Sequence, residues 1–307
     1  MGKQWDADIT VTSEMVQTLL SCQFPALDPT EVHVLDSGWD NAVFLVDGDY
    51  VFRFPRRRIA VELIETENRL LPWLSSRLPV PIPNPIFVGA PSIEYPFPFS
   101  GYRRIEGSVP HQANLSDGQR AGSATRLAWF LRTLHDIPTA LAMDRGVPPS
   151  DTFGRMDIGK RLPMLRERVE EALGAGLIDD PRALFSEMAE VSKARWDGAQ
   201  TRSLVHGDLN FRNFLVEGDG VIMGVIDWGD AHIGRPAIDL SLVYSYLPPY
   251  ARPQFFRVYG AVDDETVRLA RFRALYTNVV ILLYAHDIGD AKQTREARRA
   301  ISNALVR

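Results

Sequence analysis

The chain has 307 residues and a mass of 34.5 kDa, enough to bury a large core in two lobes or domains. Its formal charge of -5 and isoelectric point near 5.7 argue against a general binder of nucleic acid or anionic membrane, which needs a basic excess. The single cysteine, Cys22, excludes an internal disulfide framework and a cysteine-rich zinc site, and fits a reducing compartment.

The start, Met1-Gly2-Lys3-Gln4-Trp5-Asp6, lacks the apolar core of a secretory signal, and Asp6 stands where a myristoylation signal wants Ser or Thr. Residues 9–24 have helical spacing, with Val11, Met15, Val16, Leu19 and Leu20 on one face. Glu31 to Leu35 alternates as a strand, Ser37-Gly38-Trp39-Asp40-Asn41 is turn chemistry, and Ala42 to Val46 is a second strand. Asp47-Gly48-Asp49 signals a hairpin into the strand Tyr50 to Phe54, completing an antiparallel meander. Residues 59–76 return to helix, and the proline-rich Leu78 to Pro85 reads as an extended crossing.

Short strands are expected at Phe87 to Gly89 and Phe97 to Arg104, and Glu106-Gly107 offers a hinge. This divides the chain into residues 1–106 and 107–307. Beyond the hinge, Ser116 is the expected N-cap of a helix carrying Ala124, Leu127, Ala128, Leu131 and Leu134 as its apolar stripe. Further helices are expected over 160–174, 181–195 and from Pro236 onward, with short strands at 204–205, 214–216 and 221–226. The most apolar helical run, Val279 to Ala285, is too short to span a bilayer. The fold class read from this order is α+β, a small sheet-rich lobe followed by a larger helical one, in a cytoplasmic globular protein that is monomeric or weakly dimeric.

The most informative stretch is His206-Gly207-Asp208, with Asn213 five positions after the aspartate and Ile226-Asp227-Trp228 beyond it. Two carboxylates and an amide spaced this way match the needs of phosphoryl transfer. Asp208 would orient the attacking hydroxyl, while Asn213 and Asp227 would hold Mg2+ on nucleotide phosphates. Alone, His-Gly-Asp fits a turn aspartate bonding its own backbone; it is the three residues together that point to this chemistry. His206 suits a buried support of the loop backbone better than a general base. In the meander, Arg53 lies within the apolar run Val51-Phe52-Arg53-Phe54, where a buried charge demands a partner, and Glu65 and Glu67 follow on the next helix. Read alone, Arg53 fits an edge strand facing solvent as well.

These motifs together resemble the aminoglycoside phosphotransferase family of small-molecule kinases, which includes macrolide phosphotransferases and shares the protein-kinase-like bilobal fold. The likeness runs through Ser37-Gly38-Trp39-Asp40-Asn41, Arg53-Phe54-Pro55-Arg56, Glu67, Leu78 to Pro83, Leu131 to His135, the His206 to Asn213 loop, Ile226 to Asp230, and Pro236 to Asp239. It implies a phosphate-covering hairpin that includes Ser37, Gly38 and Asn41, a phosphate-setting pair in Arg53 and Glu67, and a base-contacting linker in Tyr102, Arg103, Arg104 and Ile105. It also implies ATP or GTP as donor with Mg2+. Two departures stand out: Arg53 replaces the family's strand lysine, trading a point charge for a fork, and Trp228 stands where protein kinases have Phe.

The segment between Asp227 and Pro236 is too short for an activation loop, and no Ala-Pro-Glu follows, so a small acceptor is expected in place of a protein. An aminoglycoside, a polycation, is the first expectation, as in a resistance kinase. Asp230 is the candidate contact, with Asp239, Asp287 and Asp290 as nearby negative charge. Asp239 is alternatively a support of the catalytic loop, and Asp287 and Asp290 a solvated helix end. Tyr244, Tyr246, Tyr276 and Tyr284 line either an apolar macrolide-type pocket or the core. A choline-type amino-alcohol kinase and a non-catalytic nucleotide-binding protein complete the alternatives.

Overall fold

In the computed structural model, which describes residues 8–37, 40–193 and 202–307, the chain divides into two compact units. One comprises residues 1–105 with 228–230, the other 106–227 with 231–307.

The first unit opens with helix α1 (Ser13–Gln23), whose N-terminus is capped by Thr12, its hydroxyl accepting the Met15 amide at 3.2 Å. Strands β1 (Val32–Ser37), β2 (Asn41–Val46) and β3 (Tyr50–Pro55) form the antiparallel meander. Asp47 and Gly48, with φ of 50° and 74°, make the left-handed turn that a tight hairpin requires. Helix α2 (Ile59–Leu74) follows, then β4 (Phe87–Gly89) and β5 (Phe99–Arg103), giving a sheet in the order β1-β2-β3-β5-β4. β5 lies against β3 with Gly101 opposite Phe52; a methyl at Gly101 would stand 2.2 Å from that ring, so only glycine lets the strand close there. α1 packs Val16, Leu19 and Leu20 on the sheet face formed by Phe44, Phe52, Phe54 and Phe99.

The second unit begins with α3 (Pro110–Ala113) and α4 (Asp117–Gly122). Ser116 does cap a helix, in a capping box with Gln119, but that helix ends at Gly122 and a separate one, α5 (Ala124–His135), carries the expected apolar stripe. The interruption falls at Ser123, whose hydroxyl donates to the Gly220 carbonyl; the turn at Gly220 sits so close that a methyl there would meet the Gln119 carbonyl at 2.4 Å. Next come α6 (Thr139–Met143), α7 (Ile158–Gly174) and α8 (Arg182–Lys193). The end of the helix expected to 195 lies outside the described residues.

Strands β6 (Ser203–Val205), β7 (Phe214–Val216), β8 (Ile222–Val225) and β9 (His232–Gly234) form two small antiparallel sheets, β6 with β9 and β7 with β8. The remaining helices are α9 (Ala237–Ser245), α10 (Arg252–Tyr259), α11 (Asp264–Asp287) and α12 (Ala291–Leu305), with a 3-10 turn at Pro249–Ala251 before α10. Every residue of α9 is buried, which makes it the central element of this unit. No helix among the described residues is long and apolar enough to cross a membrane.

Candidate functional site

The loop that carries Asp208 is built outward from β6, whose three residues are all buried. At its end Gly207 takes φ 88°, a left-handed turn that swings the chain away from the strand. The loop backbone is held by Asp239, fully buried on α9, which accepts the His206 amide at 2.8 Å through Oδ2 and the Gly207 amide at 3.0 Å through Oδ1. The His135 Nε2–H donates to Oδ2 at 3.1 Å. Burial alone would push the Asp239 carboxyl up, but His135 and the loop's amides outweigh it and hold the group below the usual carboxylate range.

His206 is also fully buried. Its Nε2 faces the Ile226 carbonyl at 2.9 Å, and a carbonyl only accepts, so this nitrogen carries the hydrogen. Nδ1 is left to accept the Asp208 amide at 3.3 Å. Both ring nitrogens are therefore spent on backbone, and His206 ties the loop to the strand preceding Asp227.

Asp208 emerges from this frame with its side chain 30% exposed. Three side chains fix it. Asn210 and Asn213 each direct an amide nitrogen to its carbonyl, at 3.0 and 2.8 Å, and to Oδ2 at 3.3 Å. Arg273, from the middle of α11, donates to Oδ1 at 3.1 Å. Burial lowers the affinity of Arg273 for its proton, the Asp208 charge opposes this, and Arg155 and Arg161 are near enough to add to the lowering. Arg161 in turn bonds the Tyr276 hydroxyl at 3.0 Å and lies over its ring, 5.3 Å from the centroid, while Arg273 lies 5.8 Å from the same centroid.

The β7–β8 hairpin carries the remaining acidic residue. Phe214 pairs with Val225, and the Ile226 amide donates to the Asn213 carbonyl at 3.0 Å, so Asp227 follows directly after the end of the ladder that Asn213 begins. Asp227 is half-buried and adopts φ 66°, a left-handed conformation uncommon for a residue with a β-carbon. Because the Asn213 nitrogen is committed to Asp208, its side-chain oxygen remains as a ligand atom. An amide oxygen and a carboxylate fit a hard cation such as Mg2+, which takes few protein ligands and keeps the rest of its shell as water and phosphate oxygens.

In the first unit, Arg53 on β3 and Glu67 on α2 form the ion pair, with Nη1 at 2.6 and 2.7 Å from the two carboxylate oxygens. Both side chains are buried, while Glu65 is exposed. The solvent-facing reading of Arg53 is thereby excluded. Glu67 Oε1 also accepts the Trp228 amide at 2.6 Å, which anchors the fully buried Trp228 in this unit. Asn41 opens β2 and Tyr102 pairs with Val51, whereas Arg103 lies over Tyr50 and the Arg104 amide bonds the Asp49 carbonyl at 2.7 Å. Ile105 is the last residue of the continuous stretch of this unit. The Ser37 side chain, Gly38 and Trp39 lie outside the described residues.

Of the four acidic residues expected near a cationic acceptor, Asp239 and Asp290 have other tasks. Asp239 holds the loop, and Asp290 caps α12 through the amides of Lys292 and Gln293, both at 2.9 Å. Asp287 is exposed at the end of α11, and Asp230 is grouped with the first unit. Of the tyrosines, Tyr244, Tyr246 and Tyr276 are buried, and Tyr284 lies under the Arg212 guanidinium at 5.2 Å. Sequence reading misses Arg273 and Arg161, and it includes His135 in the family likeness without giving it a role. The only trace of the first is an arginine at a buried position of a mostly apolar helix, where no motif marks it.

Comparison with known proteins places the chain in a family. Protein YcbJ of Bacillus subtilis (strain 168), itself uncharacterized, is 27% identical over 222 residues, covering 67% of each chain. The GDP and kanamycin complex of APH(2")-IIIa superimposes with a TM-score of 0.67 at 27% identity, covering 94% of this chain and 97% of that one. The apoenzyme of macrolide 2'-phosphotransferase MphH from Brachybacterium faecium shares the fold at 22% identity and a TM-score of 0.59, over 94% of this chain and 97% of its own. The model of the phosphotransferase enzyme family matches residues 31–274, and the chain belongs to that family: it is a small-molecule phosphotransferase of protein-kinase-like α+β fold.

Proposed function

We propose that the protein transfers the γ-phosphoryl group of ATP or GTP to a hydroxyl of a small molecule in a magnesium-dependent reaction. The observation that carries this is Asp208: a carboxylate partly open to solvent, oriented by Asn210, Asn213 and Arg273, in a loop whose backbone is pinned by a buried aspartate. Asp208 orients the acceptor hydroxyl and takes its proton as the oxygen bonds to the γ-phosphorus; the bond from that phosphorus to the β–γ bridging oxygen breaks, and the nucleoside diphosphate leaves.

Asn213 and Asp227 would hold Mg2+, which neutralises charge developing on the phosphates. Arg53, held by Glu67, meets phosphate oxygens from the first unit, with Ser37, Gly38 and Asn41 as the covering hairpin. Tyr102 to Ile105 offer backbone groups to the base. The guanidinium of Arg53 suits two phosphate oxygens at once.

The kanamycin complex of a relative supports an aminoglycoside acceptor, and on that reading the role would be in resistance and Asp230 would be the contact. The described residues around Asp208 favour another class, argued below. The test is acceptor-dependent phosphoryl transfer by purified protein with Mg2+ and either ATP or GTP, on a panel of aminoglycosides, macrolides, amino alcohols and hydroxy acids, with product identified by mass. Transfer that requires both Mg2+ and an acceptor is expected; nucleotide binding with no transfer to any acceptor would turn the reading toward a non-catalytic nucleotide-binding protein.

A further inference from the structure

We propose that the acceptor is an anion, a hydroxy compound bearing a carboxylate or phosphate group, which Arg161 and Arg273 hold beside Asp208. This rests on the reading of Asp208 as the residue that orients the acceptor hydroxyl.

The reacting end of the second unit is rich in cations. Arg273 is 6% exposed, and among the described residues it makes one hydrogen bond, to Asp208 Oδ1 at 3.1 Å. A guanidinium has five donor hydrogens, so a single carboxylate contact leaves most of that capacity for another acceptor of hydrogen bonds. Arg161 has no carboxylate partner among the described residues. Its bonds run to the Gly154 carbonyl at 2.9 Å, the Phe153 carbonyl at 2.7 Å, the Tyr276 hydroxyl at 3.0 Å and the Met164 sulfur at 3.9 Å. Tyr276 bridges the two, its ring within 6 Å of both guanidiniums.

The placement is built, not incidental. Asp151 gathers the amides of Phe153, Arg155 and Met156, Asp157 caps α7, and Arg161 then clasps the loop so formed. The guanidiniums of Arg155, Arg161 and Arg273 outnumber the carboxylates of Asp208 and Asp151 and leave a net positive site next to the hydroxyl-orienting group. An ammonium-bearing acceptor would be repelled there. An anionic one gains charge-assisted bonds that also fix its hydroxyl relative to Asp208.

The experiment compares acceptors in matched pairs under Mg2+ and ATP or GTP: gluconate with glucitol, glycerate with glycerol, glycerol phosphate with glycerol, and kanamycin alone. The acid of at least one pair is expected to exceed its neutral partner and kanamycin in kcat/KM by about tenfold or more, and the pair that responds separates carboxylate from phosphate. Arg161→Gln should raise KM for that acid by about tenfold and shift the neutral partner far less, and Arg161→Lys, which keeps the charge without the fork, should fall between. If Arg161→Gln does not fold, Arg161→Lys alone carries the comparison. Preference for neutral or cationic acceptors, or an acid preference unchanged in both variants, would overturn the proposal while leaving the phosphotransferase reading intact. If nothing turns over, calorimetric titration of the same pairs into the nucleotide complex decides: acid-selective binding supports the proposal and its absence overturns it. Failure to bind any nucleotide would instead overturn the underlying reading.

Discussion

Two arginine–carboxylate pairs in the second unit are built from the same chemistry and finished differently. Arg120 on α4 meets Glu296 on α12 with both Nη atoms on both oxygens, at 2.6 and 2.7 Å, and the two side chains are 3% and 7% exposed. Its Nε bonds the Leu115 carbonyl, and Tyr246 lies 5.1 Å beneath the guanidinium. That pair is closed. Arg273 and Asp208 share one contact of 3.1 Å, with the carboxylate 30% exposed. A saturated pair can only hold helices together, whereas a half-satisfied one keeps capacity for a substrate. The difference separates scaffold from site within one unit.

Breaking the closed pair should give the largest loss of stability. Arg120→Met leaves Glu296 as an uncompensated buried charge and should cost about 3–5 kcal/mol, read as a lower denaturant midpoint, with acceptor KM unmoved. Adding Glu296→Leu should recover most of it, because the stranded charge is then gone. Full stability in the single variant would show that the pair is not the scaffold described here.

The open site should respond in rate instead of stability. Asp227→Asn should lower kcat/KM on the order of 10²–10³-fold and raise the Mg2+ concentration needed for half-maximal rate, with an unchanged midpoint. A variant with wild-type Mg2+ dependence would remove Asp227 from the metal site. In the first unit, Glu67→Gln loosens both Arg53 and the Trp228 amide and should cost about 10–100-fold, chiefly in nucleotide KM, measured by varying ATP or GTP at fixed acceptor.

The smallest effect is expected from Asp239→Asn on the pH profile of stability. The folded carboxyl titrates below its ordinary value of 3.8, so its contribution is fully present above that value and disappears as pH falls through the lower folded one. Thermal melts from about pH 5 downward should therefore show a shallower acid decline in Asp239→Asn than in the wild type. Parallel declines would mean that the loop amides and His135 do not depend on the charge.

The meander, its hairpin and the set of Asp208, Asn213 and Asp227 are legible in the sequence because local rules govern them. Alternating strands, Asp-Gly turns and a spaced acidic motif are written in contiguous residues. The helix expected from Ser116 through Leu134 divides in two because a distant carbonyl, that of Gly220, takes the Ser123 hydroxyl at the break. Strand β9 is not foreseen, since three residues with no alternation carry no signal until β6 lies beside them. Arg273 lies 65 positions from Asp208, and Arg161 reaches it by way of Tyr276, so spacing assigns neither. Asp239 and Asp290 are conspicuous in sequence, where each reads either as negative charge near the site or as support for a loop or helix end, and the structure selects the second: their oxygens are engaged by backbone amides.

The measurement that bears most directly on the central claim is turnover, nucleotide affinity and melting temperature of Asp208→Asn in one preparation beside the wild type. The open-pair account predicts a loss of about 10³-fold or more in phosphoryl transfer, with nucleotide Kd within about twofold and the melting temperature within about 2 °C. Transfer retained within about tenfold of wild type would contradict the assignment of Asp208, and unfolding of the variant would place this pair with the scaffold beside Arg120 and Glu296.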